Sequence, residues 1–426
     1  MNFIDELTWR GMLHDITPGA REDLEKGMRT GYIGFDPTAP SLTIGNYVQL
    51  MILSHWQRAG HKPIFLLGGA TGRIGDPSGK DKERQLKSYE ELDSNLQFQK
   101  GQASKFLNFE DGPNKAEFMN NYDFYSQMNV LDFLRDVGKN LTVNYMLGKD
   151  AVKKRLETGL SFTEFSYQLL QANDFLHLYQ NHSCTYQMGG SDQWGNITSG
   201  TEFIRRNVTG GKAFAITSPL LTKADGKKFG KSEEGNIWLD PKMTSPYKFY
   251  QFWINAADAD LPKFFRYFSF KNQAKIEQLE KDLADSPRQL KAILAEEITT
   301  RIHSAEEYKS VVAVSEILFN KKSSQEQLKS LRAQDFETIS QEIDSVVVSQ
   351  QLDSAGVNIV DLLTTHSDIC SSNGDARRAI KGNAISVNKV KVSDHSAAVT
   401  SEDLIHNQYL MIENGKKNKY VVKFEG

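Results

Sequence analysis

The chain predicts an α/β fold built on a parallel sheet, followed by a helical stretch and a small α+β tail. Three observations carry this expectation. Short apolar runs alternate with amphipathic helical stretches, glycine clusters follow two of those runs directly, and the pattern turns wholly helical after about residue 245. At 426 residues the sequence is long for one core, so two or three domains are expected.

The first run, Gly31-Tyr32-Ile33-Gly34-Phe35, reads as a strand. Val48, Met51, Ile52, Trp56 and Ala59 then recur at helical spacing until Gly60, and Pro63 to Leu67 form a second apolar strand. A strand, a helix and a strand in so short a span predict a right-handed βαβ unit with parallel strands. The N-terminal part, residues 1–240, is therefore read as a nucleotide-binding domain ending near the strand-like run Ile237 to Leu239, with helices inserted from about Gly112 to Met188. Residues 241–325 read as a helical domain, with Phe249, Phe252, Trp253, Phe264, Phe265 and Phe268 on its apolar faces. Polar residues 326–352 read as a linker, and residues 353–426 as a last α+β module with helical Val360 to Leu363 and Ala376 to Ile380 and β-type runs Ala384 to Val387 and Tyr420 to Phe424.

Composition excludes several classes. A net charge of −3 leaves nucleic-acid binding to local patches. Two distant cysteines, Cys184 and Cys370, fit a reducing compartment and rule out a disulfide framework or a Cys-rich zinc site. No run is long and apolar enough to span a bilayer, and the first ten residues carry Asp5 and Glu6 without an apolar signal core, so a cytoplasmic protein is expected.

Chemistry gathers at the strand ends. Residues Gly34 to Asn46 place Asp36, Pro37, Thr38, Thr43 and Gly45 at a strand-to-helix turn, where unpaired helix N–H groups favour a phosphate. A second cluster, Gly68 to Lys80, brings Asp76 as an acceptor for an ammonium or hydroxyl. Two such clusters at neighbouring strand ends point to a ligand crevice rather than to two plain turns. Ser161 and Glu164 have capping-box spacing at a helix start. Along that helix Tyr167, Gln171 and Asp174 share one face and Phe165, Leu169, Ala172 and Leu176 another. The first face is solvated or suits a zwitterion with a polar tip. Gln187 to Asn196 adds Gly190, Asp192 and Gln193 in a polar glycine loop. Lys223 to Ser232 carries Lys223, Lys227, Lys228 and Lys231 around Gly226 and Gly230, a surface turn or a loop that closes over a polyphosphate. Neither a P-loop nor a dinucleotide fingerprint occurs. In the tail, Arg377, Arg378, Lys381, Lys389 and Lys391 precede the next acidic residue, Asp394, and form the best candidate contact for a phosphate backbone.

Taken together these motifs resemble the bacterial-type tyrosyl-tRNA synthetases, class I aminoacyl-tRNA synthetases, over essentially the whole chain. Gly34-Phe-Asp-Pro-Thr38 and the run from Gly68 to Ser78 resemble that family's nucleotide site, and Lys228-Phe-Gly-Lys-Ser232 its mobile lysine loop. The resemblance implies a Rossmann-like catalytic domain, a helical anticodon-side domain and an S4-like RNA-binding tail over Leu362 to Asp394. It also implies ATP-dependent attachment of L-tyrosine to tRNA(Tyr) through a tyrosyl-adenylate, with Mg2+ accompanying ATP and a homodimer as the working state. Residue by residue, it assigns Tyr32 and Asp174 to the substrate phenol and Asp76, Tyr167 and Gln171 to the ammonium. Asp192, Gln193 and Asn196 fall on the ribose and carboxylate side, with Asp36, Gly45 and Gly190 along the nucleotide. Thr38, Thr43, Asn46, Lys228 and Lys231 fall near the reacting phosphates, with Lys80 and Arg84 as a second basic loop. Thr43 and Asn46 depart from the family's His-x-Gly-His, and the loss of an imidazole at Thr43 predicts altered transition-state contacts. Two other readings fit parts of the sequence: an RNA-binding relative with weakened chemistry, and a different adenylate-forming enzyme on the same fold.

Overall fold

The computed structural model describes residues 2–80, 87–232, 235–320, 322–349, 351–415 and 418–425. By internal contacts the chain divides into two compact units, Met1–Thr244 with Phe252–Ile302, and Ser245–Gln251 with His303–Gly426. The division falls inside helix Pro246–Ile254, so the stretch read as one helical domain belongs to both units.

The first unit is organised by five parallel strands: β1 (Thr30–Phe35), β2 (Lys62–Leu67), β3 (Glu117–Asn120), β4 (Cys184–Gly190) and β5 (Phe214–Ser218). Their order is β3-β2-β1-β4-β5, with Tyr32 opposite Ile64 on one side and Gln187 on the other. Strands β1 and β2 are buried almost throughout, as a parallel sheet covered on both faces requires. Helix α1 (Ile44–Arg58) joins β1 to β2 and stops before Gly60, whose φ is +92°. This is the βαβ unit the sequence predicts.

Two expectations about strands change. Glu117–Asn120, inside the segment read as inserted helices, is the edge strand β3, too short and mixed to show an apolar period. Conversely, Ile237 to Leu239 forms only a bridge onto the start of α1, with the Ile44 N–H donating to the Ile237 carbonyl at 2.9 Å and the Leu239 N–H to Leu42 at 2.9 Å.

Three further long helices of this unit are α2 (Tyr89–Ala103), α3 (Phe162–His182) and α4 (Trp194–Asn207). Helix α3 buries Leu169, Ala172, Phe175, Leu176 and Leu178 toward the sheet, where the Phe175 ring meets Tyr32 edge-on at 5.4 Å. Burying one such side chain contributes about 1.5–3 kcal/mol. At its start Ser161 accepts from the Glu164 N–H at 3.1 Å, but the Glu164 carboxylate pairs with Arg155 at 2.8 Å, so half of the expected capping box serves a buried ion pair.

The second unit carries a five-stranded sheet: β6 (Asp344–Val348), β7 (Ile385–Val387), β8 (Val390–Lys391), β9 (Tyr409–Asn414) and β10 (Asn418–Phe424), ordered β8-β7-β9-β10-β6. Residues 326–352, read as a linker, hold helix Ala333–Glu342 and β6, which pairs parallel to β10. The helix accords with a linker that carries some helix of its own, while β6 is a strand exposed at the sheet edge. Helix α5 (Asn373–Lys381) packs Ala376 and Ile380 into this unit's core.

Candidate active site

A cleft of about 630 Å³ opens along the C-terminal ends of the parallel strands. Its lining includes Tyr32, Asp36, Thr38, Thr43, Gly45, Asn46, Asp76, Lys80, Tyr167, Gln171, Asp174, Gly190, Asp192, Gln193 and Lys228. These are almost all of the sequence-nominated residues for the small-molecule site. Arg84 and the Lys231 side chain lie outside the described residues, and the Lys231 backbone pairs with Asn236 in a two-residue ladder.

One end of the cleft is a buried polar pocket. The Tyr32 side chain, 1% exposed, places its hydroxyl against no hydrogen-bonding partner among the described residues. Desolvation, with the nearby Asp174 charge, pushes that phenol well above its ordinary pKa, so it remains a donor. Asp174, 2% exposed, accepts from Asn121 Nδ2 at 2.8 Å and from the Tyr125 hydroxyl at 2.7 Å. Burial lifts its carboxyl to about 7 against the pull of those two donors.

Asn121 and Tyr125 were not among the sequence candidates. They follow the unrecognised strand β3, and only that strand's position shows that they face α3. Asn121 also donates to Thr71 Oγ1 at 3.0 Å and accepts from the Ala70 N–H at 2.7 Å, which fixes the glycine turn after β2. Gly68 in that turn leaves no room for a side chain, since a Cβ would lie 2.2 Å from Asp36 Oδ1.

Asp36 lines the cleft beside these residues. Its carboxylate accepts from Tyr167 at 2.9 Å and from Thr71 at 2.7 Å, which ties it into the polar floor shared with Asp174. Beyond it, Asp76 accepts from Gln193 at 2.6 Å, and Asn196 donates to Gln171 Oε1 at 3.0 Å. These four side chains form one hydrogen-bonded cluster along the cleft. Asp192 is raised above the ordinary carboxylate range by burial and then by Asp76.

The other end is made by α1 and the lysine loop. Thr43 caps α1: its hydroxyl accepts from the Asn46 N–H at 3.3 Å, and Asn46 Oδ1 accepts from the Thr43 N–H at 3.0 Å. The Thr43 hydroxyl also donates to Asn46 Oδ1 at 2.8 Å. Thr43 thus serves the cap, while the Asn46 amide Nδ2 is not used by it. The loop from Lys223 to Ser232 leans on this cap, with the Ile237 N–H bonded to the Gly230 carbonyl at 3.0 Å and Phe229 stacked on Phe268 at 5.2 Å. Lys228 is exposed at the mouth.

In the second unit Arg377, Arg378, Lys381 and Lys391 are exposed. Lys389 departs from that set. Its side chain is 7% exposed and bonds Glu413 at 2.8 Å and the Ile317 carbonyl at 3.3 Å, so it is a structural ion-pair partner rather than a surface cation.

A parallel sheet with glycine turns at its ends, a capped helix and a lysine loop at one cleft mouth is the arrangement of the class I tRNA synthetases, and the family comparison bears it out. The family described as "tRNA synthetases class I (W and Y)" matches residues 25–320, and "Tyrosine--tRNA ligase SYY-like C-terminal domain" matches residues 335–422. The sequence is 52% identical over 427 residues to a tyrosine--tRNA ligase of Cytophaga hutchinsonii, covering 99% of each chain. It is also 52% identical over 432 residues to one of Porphyromonas gingivalis, covering all of both. Among solved structures it is similar to a C-terminally truncated mitochondrial tyrosyl-tRNA synthetase of Aspergillus nidulans, with a TM-score of 0.66 and 31% identity over 75% of this chain and 94% of that one. The chain belongs to the tyrosine--tRNA ligase family.

Proposed function

We propose that the cleft binds tyrosine with its phenol between Tyr32 and Asp174 and activates it with ATP at the α1 end. Membership of the family makes the reaction attachment of tyrosine to tRNA. In its first step the tyrosine carboxylate attacks the α-phosphorus of ATP and pyrophosphate leaves; in the second a tRNA terminal ribose hydroxyl attacks the tyrosyl carbonyl and AMP leaves.

The observation that carries the residue assignment is the buried, unpartnered Tyr32 hydroxyl beside Asp174. A substrate hydroxyl would accept from Tyr32 and donate to Asp174, completing both. Phenylalanine would leave them unpaired, at a penalty of about 1–3 kcal/mol for each neutral group and more for a charged one. Asp76, Tyr167 and Gln171 receive the ammonium, and Gln193, Asp192 and Asn196 hold the ribose and carboxylate. The Asn46 amide, Thr38, Lys228 and Lys231 stabilise the phosphate charge that develops as pyrophosphate departs. Thr43 acts by holding Asn46. Gly45 and Gly190 let the nucleotide lie close to the backbone, and Lys80 with Arg84 approaches the leaving phosphates.

Among the described residues no group of three or more His, Cys, Asp or Glu is arranged to hold a metal ion. Magnesium, when bound with ATP, would ride on the triphosphate and supply charge neutralisation there. Arg377, Arg378, Lys381 and Lys391 contact tRNA phosphates, which suits their exposure on one small unit. A homodimer is the working state, and the exposed Val130, Leu131, Val143 and Phe162 supply apolar surface for it. No helix among the described residues is long and apolar enough to cross a membrane.

The decisive experiment is tyrosine-dependent exchange of labelled pyrophosphate into ATP, beside phenylalanine and tryptophan. Exchange with tyrosine alone is expected. Exchange with none of the three would leave an RNA-binding relative, and a different preferred amino acid would reassign the pocket.

A further inference from the structure

The hydroxyl of Tyr125 has one proton and two acceptors in reach, Asp174 Oδ1 at 2.7 Å and the Leu170 carbonyl at 2.8 Å. Asn173 Nδ2 donates to the same oxygen at 3.3 Å, so the ring is held while its O–H bond can turn. We propose that Tyr125 is a positioning residue for substrate choice: by donating its hydroxyl to Asp174 rather than to Leu170 it favours the ionised carboxylate that accepts the hydrogen bond of a substrate phenol. This rests on the assignment of Tyr32 and Asp174 to the substrate phenol.

The proton count gives two states. With Asp174 ionised, Tyr125 donates to Oδ1 and Asn121 to Oδ2, and the remaining lone pairs accept the substrate hydroxyl. With Asp174 protonated from solvent, the new carboxyl O–H donates to the Tyr125 oxygen, and Tyr125 turns its own proton to the Leu170 carbonyl. The substrate then meets a neutral, weaker acceptor. Tyrosine loses a charge-assisted hydrogen bond, whereas an amino acid without a hydroxyl loses nothing.

The titratable groups facing Asp174 come from every side of the pocket. They are Tyr32 on β1, Tyr125 after β3, Asp36 at the end of β1 and Tyr167 on the same helix as Asp174. The three phenols are raised by burial and stay neutral, and the Asp36 charge raises Asp174. Asp174 therefore titrates within the working range, and Tyr125 is one of two donors that hold it down. Removing that donor moves the midpoint upward.

The test measures the KM for tyrosine in pyrophosphate exchange between about pH 6 and 9 for the unaltered chain and for Tyr125→Phe, which keeps the ring. In the unaltered chain KM should fall as pH rises through about 7 and then level. In Tyr125→Phe the fall should shift about one unit upward, giving a roughly fivefold higher KM near neutrality that converges at the alkaline end. The KM for ATP should be unmoved. A tyrosine profile flat in the unaltered chain overturns the proposal without reference to any variant. An unshifted profile in a folded Tyr125→Phe overturns it as well. Absence of tyrosine-dependent exchange in the unaltered chain would remove the pocket assignment and the proposal together, whereas exchange with an unmoved profile removes the proposal alone.

Discussion

The Thr43 hydroxyl donates to Asn46 Oδ1 at 2.8 Å while its oxygen accepts the Asn46 N–H, so the two side chains hold each other at the first turn of α1. On the proposed function, Asn46 is the group that reaches substrate and Thr43 the group that aims it. Asn46→Ala should slow adenylate formation by about 10²–10³, the usual loss for one transition-state donor. Thr43→Ala should slow it less, and should lower stability by about 1 kcal/mol through the lost cap. Single-turnover adenylate formation and thermal unfolding measure the two, with tyrosine KM expected to stay constant. Equal rate losses would make Thr43 a direct participant.

Asp174→Asn separates function from stability. Burial raises the folded-state carboxyl to about 7 from 3.8, so the folded chain binds the proton more tightly than the unfolded one. The contribution of Asp174 to stability should therefore fall as pH rises from about 4 to about 7 and level above that, by on the order of 4 kcal/mol at most. The asparagine variant lacks this fall. Its unfolding temperature should exceed that of the unaltered chain at pH 8 and match it most closely near pH 4, while tyrosine-dependent exchange is lost. A variant less stable at pH 8 would contradict the raised carboxyl.

Gly230 lies at φ +83°, and a Cβ there would fall 2.5 Å from Ile44 Cγ2. Gly230→Ala meets both a left-handed backbone and the α1 start, with a penalty of about 1 kcal/mol or more. The lysine loop should be displaced from the cap, raising the ATP KM and slowing exchange, with tyrosine binding by fluorescence titration unchanged. Unaltered ATP kinetics would show that the loop's seat on α1 is not needed for its action.

Charge reversal distinguishes the tail cations. Arg377→Glu, Arg378→Glu and Lys381→Glu should each raise the tRNA KM and reduce its dependence on salt, leaving pyrophosphate exchange intact. Lys389→Ala should instead lower thermal stability, because Glu413 loses its buried partner. Matching salt slopes for Lys389→Ala and the arginine variants would return Lys389 to the RNA face.

The strand-helix-strand start, the two glycine turns and the Tyr167-Gln171-Asp174 face were legible because each follows from local spacing. What was hidden depends on pairing across the chain. Strand β3 is four residues without alternation, recognisable only beside β2, and missing it meant missing Asn121 and Tyr125. Lys389 reads as one cation among several until Glu413, distant in sequence, is brought beside it by the sheet. The Asp36 carboxylate is acidic at a phosphate-type turn, and only α3 reveals that Tyr167 claims it.

Strand β6 is made before every other strand of its sheet, and its one neighbour there, β10, is made last. During synthesis it must wait with its hydrogen-bonding edge open until residues 418–424 leave the ribosome. A nascent or prematurely ended chain therefore displays an unpaired strand bearing Val346 and the exposed Val347, a template for pairing with a second chain. Pairing with residues 418–424 thus closes the edge of β6 that the nascent chain leaves open.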